Sequence, residues 1–324
     1  MNPTMMRRIT MGKTKIEDRL LMIVDGSNLA HRSFHKFKNL TYKGEHTGLI
    51  YGFMRILQSY LVRFRPTYVL VTFDTHASKS SNFRNELLGS YKEHRVRDLS
   101  MDYESFNKQT KILKRILRYL NIPVIWDKKG LGHESDDYIG HFALKHTGKV
   151  VIVSSDKDFC QLLDPRVKIF NPSKETLVLE KTCRDIMGYS PKECVDFLCL
   201  LGDKSDDIPG YKGMGEKNTR IFLDEFGSIS NFLKDPEATY PRIDREALNA
   251  VYQRNLDMID IRRALRLYPF KKIPVAYPYK GSKKELRGKL KLLFIKYGTM
   301  SFMTSKFLEP FERLLTKSTW HELT

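Results

Sequence analysis

Cysteine is scarce in this chain, with four in 324 residues. Cys160, Cys183, Cys194 and Cys199 form no C-x-x-C pair, which argues against a disulfide framework or a thiolate zinc site and for reduced thiols in the cytoplasm. No stretch approaches the 18 or more consecutive apolar residues of a membrane span, and the opening "MNPTMMRRITMGK" lacks the apolar segment of a secretory signal. No membrane partner is therefore expected. The histidines are scattered without H-E-x-x-H or similar spacing, which weighs against a zinc hydrolase. Acidic residues are outnumbered, 38 against 56 Lys and Arg, for a formal charge of +18. An excess of that size predicts a polyanionic partner, nucleic acid foremost, without choosing between DNA and RNA.

What is present reads as a globular chain with 41% hydrophobic residues, enough for one large domain or two modest ones. Residues 1–19 are polar and basic and read as a flexible lead-in. "LLMIV" (20–24), "TYVLVTF" (67–73), "IPVIW" (122–126) and "KVVIVSS" (149–155) are short apolar runs that predict buried strands. Helical spacing predicts helices over 48–64, 103–120 and from about 132 to 146. This alternation implies an α/β fold, a mainly parallel central sheet covered by helices, over residues 20–181. Beyond Lys181 helices dominate to the end, giving a second region, 182–324. There "SPKECVDFLCLLGD" predicts a helix capped at Ser190 with Pro191 in its first turn. Residues 242–265 predict one long helix. The stretch 281–306 carries seven Lys or Arg and one Glu around the apolar stripe Leu286, Leu290, Leu293 and Phe294. Residues 76–102 are different: basic, polar and too long for an ordinary connection, they predict a functional excursion.

Acids gather where strands end. In parallel sheets ligands bind beyond the carboxyl ends of the strands, and Asp25, Asp74, Asp156 and Asp158 all fall there. Glu134, Asp136 and Asp137 open the helix after the third strand, and Asp203 and Asp206 precede a glycine-containing turn. Any one of these could be a helix cap or turn residue. Leaving Asp137 aside, eight carboxylates converging without compensation would oppose one another's ionisation, and a hard divalent cation resolves the conflict because Mg²⁺ prefers oxygen ligands. Two such ions about 4 Å apart can activate water and stabilise the departing oxygen of a phosphodiester, so phosphodiester cleavage is the expected chemistry.

Basic residues complete the pattern. Lys92 and Arg95 stand i,i+3 in "GSYKEHR" and, with Arg84, are candidate phosphate contacts. Tyr91 is a candidate for stacking on a base. In "IPGYKGMGEKN", Gly210, Gly213 and Gly215 allow backbone amides to approach phosphate ahead of a helix, assisted by Lys212 and Lys217.

At these residues the chain resembles the structure-specific 5' nuclease family of flap endonucleases, polymerase 5' nuclease domains and phage 5'-3' exonucleases. "VDGSN", "FDTH", "FRNELLGSYKEHR", "GHESDDYIG", "SSDKDFCQL" and "LGDKSDDIPGYKGMGEKN" occur in the family order. "RNLDMIDI" and "GKLKLLFIKYG" are most similar to the T-even phage ribonuclease H branch. The resemblance implies a PIN-like core with a helical arch over residues 76–102 and a helix-turn-helix duplex-binding module around 206–218. It implies two Mg²⁺, replaceable by Mn²⁺. Asp25, Asp74, Glu134 and Asp136 would hold the ion nearest the attacking water, and Asp156, Asp158, Asp203 and Asp206 would serve the second. Asp137 would lie near substrate, Lys92 would polarise the scissile phosphate, Arg84 and Arg95 would assist, and K⁺ would sit in the duplex-binding turn.

The implied partners are duplex or flapped DNA and RNA-DNA hybrid, together with a single-stranded-DNA-binding protein at a replication fork, met by a monomer in the cytoplasm, that of a host if the chain is phage-encoded. The implied work is primer removal or repair, with exonuclease, flap endonuclease and ribonuclease H activity. Asp207 departs from the Asn common among relatives, and no Q-x-x-L-x-x-F-F clamp-binding tail is present. Two alternatives stay open at this point, a duplex-binding protein without catalysis and a single-strand RNase of related acidic fold.

Overall fold

A computed structural model describes residues 19–74, 82–93, 101–126 and 132–314. Arg95, residues 76–81 and 94–100 of the expected arch and all but the last residue of the N-terminal lead-in lie outside them. The first half runs β1 (Leu20–Asp25), α1 (Gly26–Lys36), a short ribbon of β2 (Thr41–Tyr42) and β3 (Glu45–His46), α2 (Gly48–Phe64) and β4 (Tyr68–Phe73). It continues through α3 (Phe83–Leu87), α4 (Tyr103–Tyr119), β5 (Val124–Trp126), α5 (Ser135–Lys145), β6 (Lys149–Val153), β7 (Val167–Asn171) and β8 (Thr176–Val178). Then come α6 (Cys183–Met187), α7 (Cys194–Leu201), a tight ribbon of β9 (Gly202–Asp203) and β10 (Ile208–Pro209), α8 (Glu216–Phe226), α9 (Ile229–Lys234) and α10 (Arg245–Ile259). The described chain closes with α11 (Ile261–Leu267), β11 (Val275–Ala276), α12 (Lys283–Lys296) and α13 (Ser305–Glu312).

The central sheet has seven strands in the order β11-β5-β4-β1-β6-β7-β8. Pairing is parallel from β5 to β7 and antiparallel at both edges, where β8 returns beside β7 and β11 joins β5. The sheet is thus mixed and mostly parallel. Its antiparallel edges escaped the sequence pattern because two- and three-residue strands carry too few side chains for a period to show.

Side chains of β1 alternate between two apolar layers, as a pleated strand requires. Leu21 and Ile23 face α5, α7, α10 and α11, whereas Met22 and Val24 face α1, α2, α4, α12 and α13. All four are fully buried, which explains why the strand reads as a continuous apolar run. The last helices do not form a separate body, since Leu290, Phe294, Phe307 and Phe311 pack in the same layer as α2 and α4.

Two helices differ from their sequence expectation. α7 starts at Cys194, because Ser190–Glu193 forms a turn in which the Ser190 amide donates to Glu193 Oε2 at 2.7 Å. The long helix expected over 242–265 breaks at Asp260, which ends α10 and caps α11 by accepting from the Arg263 amide. Buried Gln161 satisfies the break from outside, donating to the Ile259 carbonyl at 3.0 Å and accepting from the Ile261 amide at 2.8 Å. A remote side chain therefore terminates a pattern that is locally helical. No helix among the described residues is long and apolar enough to cross a membrane.

Candidate active site

β1, β4 and β6 each lead into an acid at the carboxyl rim, and local hydrogen bonds hold the acids there in place. Asp25 caps α1 by accepting from the Asn28 amide at 3.0 Å and takes a second bond from the Ser154 hydroxyl at 2.8 Å. Asp74, after β4, accepts from the Ser135 amide at 3.1 Å while its own amide donates to Ser27 Oγ at 2.8 Å. Glu134 caps α5, its amide donating to Asp137 Oδ2 at 3.0 Å in a reciprocal box. After β6, Asp156 accepts from the Asp158 amide at 2.9 Å. Asp203 accepts from the Ser205 amide at 2.7 Å and stands 3.2 Å from Lys157 Nζ. Capping and clustering coexist, as at Asp25, whose Oδ1 caps α1 while its Oδ2 accepts from Ser154.

Mutual repulsion shows that the acids share one region. Burial, then Asp74, pushes the Asp25 carboxyl up to about 7. Asp136 is driven well above the usual carboxylate range by desolvation and then by Asp156, Asp74, Asp25 and Glu134. Asp158 is raised strongly by burial, Asp156 and Asp203, and Asp156 is raised by burial with Asp206 and Asp203 adding to it. Asp203 alone is held low, since the Ser205 hydroxyl and Lys157 outweigh its desolvation. The buried Asp158 Oδ1 has no hydrogen-bond partner. Among the described residues no three such side chains stand close enough to close a coordination sphere by themselves.

Lys92 joins this rim from the excursion between β4 and α4. Its Nζ is 2.7 Å from Glu134 Oε2 and 3.5 Å from Asp206 Oδ2, and its amide donates to the Asp206 carbonyl at 3.1 Å. The backbone is left-handed there, φ +55°, a conformation costing a non-glycine residue roughly 1–3 kcal/mol, which the ion pairs and the Asp206 bond offset.

Tyr91 and Arg84 correct the sequence expectation. Tyr91 is 2% exposed and cannot stack on a base; its hydroxyl reaches Glu134 Oε2 at 2.9 Å and Asp206 Oδ2 at 3.1 Å. Burial and these anions hold it protonated. Arg84 is buried rather than facing phosphate, because its guanidinium donates to both oxygens of Asp137 at 2.8 and 2.9 Å and to the Met258 carbonyl at 3.1 Å. Asp137 is likewise fully buried, with both carboxylate oxygens taken by Arg84.

The glycine segment behaves as a tight turn before α8. Gly213 (φ +89°) and Gly215 open to solvent with room around them, and Lys212 and Lys217 are exposed beside them. Gly210 is different, sealed against the Leu200 and Leu201 backbone. Asp207 adopts φ +57°, which Asp and Asn tolerate better than other side chains, and nothing in the structure explains Asp rather than Asn there.

Sequence reasoning missed the residues that hold the acids. Ser154 bonds Asp25, Lys157 pairs with Asp203, and Asn82 donates to Glu134 Oε1 at 3.0 Å. Ser154 and Lys157 lie inside the "SSDKD" motif and could have been noticed; Asn82 carries no local signal.

Such a rim on a mostly parallel sheet defines a hydrolase of the phosphate-ester type. Residues 20–188 match the family described as 5'-3' exonuclease, N-terminal resolvase-like domain, and residues 189–269 match its C-terminal SAM fold. A 5'-3' exonuclease of Aquifex aeolicus is 34% identical over 72% of this chain and 80% of its own length. The thermostable DNA polymerase I of Thermus filiformis is 34% identical over 76% of this chain; the match spans 29% of that polymerase. Among solved structures, T5 5'-exonuclease with bound zinc superposes at a TM-score of 0.63, 20% identical, covering 90% of this chain and 100% of that one. The chain belongs to the 5'-3' exonuclease family of structure-specific 5' nucleases and is an enzyme of that class.

Proposed function

We propose that this enzyme is a divalent-metal-dependent 5' nuclease that hydrolyses phosphodiesters near the 5' end of a DNA or RNA strand on duplex, nicked or flapped substrates, in primer removal or repair. The observation that carries the reading is the convergence of eight carboxylates with Lys92 standing among them. A T5 relative of the same fold has been solved with DNA and metal ions.

The residues fit hard divalent cations. Every donor is a carboxylate oxygen, Asp158 Oδ1 is buried without a partner, and burial followed by neighbouring carboxylates opposes the ionisation of Asp25, Asp136 and Asp158. Asp25, Asp74, Glu134 and Asp136 would hold one Mg²⁺, and Asp156, Asp158, Asp203 and Asp206 a second, with Mn²⁺ as substitute and waters or phosphate completing each sphere. When bound, such ions lower the pKa of water and neutralise charge on the phosphate.

The chain's own side chains do the rest. Lys92 is positioned to leave Glu134 for a non-bridging phosphate oxygen, where its charge matters most as negative charge builds in the transition state. Arg95, from outside the described residues, would assist it. Tyr91 keeps Glu134 and Asp206 at fixed separation. Arg84 and Asp137 lock α3, and with it Lys92, against α5 and α10. The turn at Gly213 and Gly215, held from behind by Gly210 and joined by Lys212, Lys217 and a K⁺ ion, would grip a duplex backbone, so that 20–181 forms the catalytic core and 182–324 the duplex-binding region. RNA-DNA hybrid and a single-stranded-DNA-binding protein are proposed as further partners, in the manner of the T-even phage branch.

Labelled 5'-flap, nicked and RNA-primer duplexes incubated with Mg²⁺ should release short 5' products. Absence of cleavage across Mg²⁺ and Mn²⁺ concentrations refutes the assignment.

A further inference from the structure

A second concave surface begins where the acidic rim ends. It is a cavity of about 560 Å³ lined by Asn28, His31, Arg32, His35, Lys36, Ser155 and Ser173. The five residues from α1 recur at i, i+3, i+4, i+7 and i+8 and so form one face of the helix, whose first cap is Asp25. Arg32 donates to the Ser173 hydroxyl at 3.1 Å, and that hydroxyl meets Ser155 Oγ at 2.9 Å. Among the described residues no acid lines the cavity. The imidazole of His31 stacks on Phe106 at 4.5 Å and 29°, which props the wall of the groove.

Its position matters as much as its charge. Lys92 and the glycine turn stand on the side of the sheet shared with α5, α7 and α10, where Tyr91 and Met214 are buried. α1 packs in the opposite layer. A nucleic acid gripped at the glycine turn must cross the acidic rim to enter the α1 groove. A turn of helix separates Arg32 from Lys36 by about 6 Å along the axis, the scale of the step between neighbouring phosphates. The groove is one helix face wide, which suits a single strand better than a duplex.

We infer that this α1 groove binds the phosphate backbone of an unpaired nucleic-acid strand where it leaves the duplex beyond the cleavage rim. The inference rests on the nuclease reading above and adds a substrate-binding site that no catalytic residue shares.

The test compares the parent with Arg32→Ala/Lys36→Ala in Ca²⁺, using fluorescence anisotropy on a blunt duplex, a duplex with a 5' flap, and a duplex with an unpaired extension of the complementary strand. At least one substrate with an unpaired stretch should lose about tenfold in affinity. The slope of log K against log salt should become shallower by about 1 to 2, as expected for two lost phosphate contacts. Affinity for the blunt duplex should change less than twofold, and Arg32→Lys/Lys36→Arg should restore binding. The two flapped arms tell which strand occupies the groove. Equal losses on all three substrates, or none on either unpaired one, overturn the inference. Should the double variant misfold, Lys36→Ala alone, at an exposed position, should make the slope shallower by about 1. A parent that cleaves flaps in Mg²⁺ while the variant binds normally refutes this groove alone; a parent that never cleaves them refutes the nuclease reading.

Discussion

Arg84 and Asp137 meet in a two-point ion pair, 2.8 and 2.9 Å, with the arginine 5% and the aspartate 0% exposed. The pair ties α3, which leads to Lys92, to the first turn of the helix that carries Glu134 and Asp136. A contact that resembles a substrate grip in sequence is thus a brace behind the site.

Removing half of such a brace should be costly. Arg84→Met leaves Asp137 charged and buried, and should reduce stability by about 3–5 kcal/mol. Arg84→Met with Asp137→Asn should lose less than the sum of the singles. Urea denaturation of the four proteins in the cycle measures the coupling, and simple additivity would show that the pair does not act as a unit.

Lys92→Ala should act on turnover. Because Lys92 already has two carboxylate partners in the resting protein, its new interaction with substrate is largest in the transition state, so kcat should fall by about a hundredfold or more with little change in duplex affinity. Single-turnover cleavage beside equilibrium binding separates the two. A loss confined to binding would make Lys92 a steering charge.

The acidic rim sets a pH dependence for the metal-free protein. Asp25 sits near 7 and Asp136 and Asp158 are also raised, so the folded state binds their protons more tightly than the unfolded chain does. Stability therefore increases as pH falls from about 8 through 7 toward the ordinary carboxylate range. Divalent ions reverse the balance by favouring the ionised form, and the rise in Tm on adding Mg²⁺ should be larger at pH 8 than at pH 6. Asp158→Asn should raise the metal-free Tm at pH 8 and shrink the Mg²⁺ increment. Calorimetry at both pH values, with and without EDTA, decides the point.

Neighbouring glycines should respond differently to alanine. A Cβ on Gly210 would lie 2.3 Å from the Leu200 carbonyl oxygen, and backbone cannot yield as a side chain does, so Gly210→Ala should cost about 2 kcal/mol or more. Gly213 has free space and is limited only by φ +89°, so Gly213→Ala should cost about 1–2 kcal/mol. Denaturant midpoints compare them, and equal costs would contradict the packing argument.

Local regularities carried much of this protein into view before any coordinates. β1, β4, β5 and β6 were legible because strands buried on both faces leave unbroken apolar runs, and α2 and α4 because their apolar spacing persists over several turns. Asp25, Asp74, Asp156 and Asp158 were legible because they follow three of those runs. The Asp260 break was not, since Gln161, which satisfies it, is about a hundred residues away. Nor were the edge strands, which exist only because a neighbour offers a ladder.

The alternation of β1, β4, β5 and β6 with their helices and the excess of positive charge are determined by the sequence itself, since each depends on composition or on residues close together in the chain. Whether Arg84, Tyr91 and Asp137 meet a substrate or one another, and whether α1 presents its cations to a groove, only the tertiary structure decided. Burial and partnership are set by which distant surfaces close over a side chain, and that information resides in packing rather than in spacing.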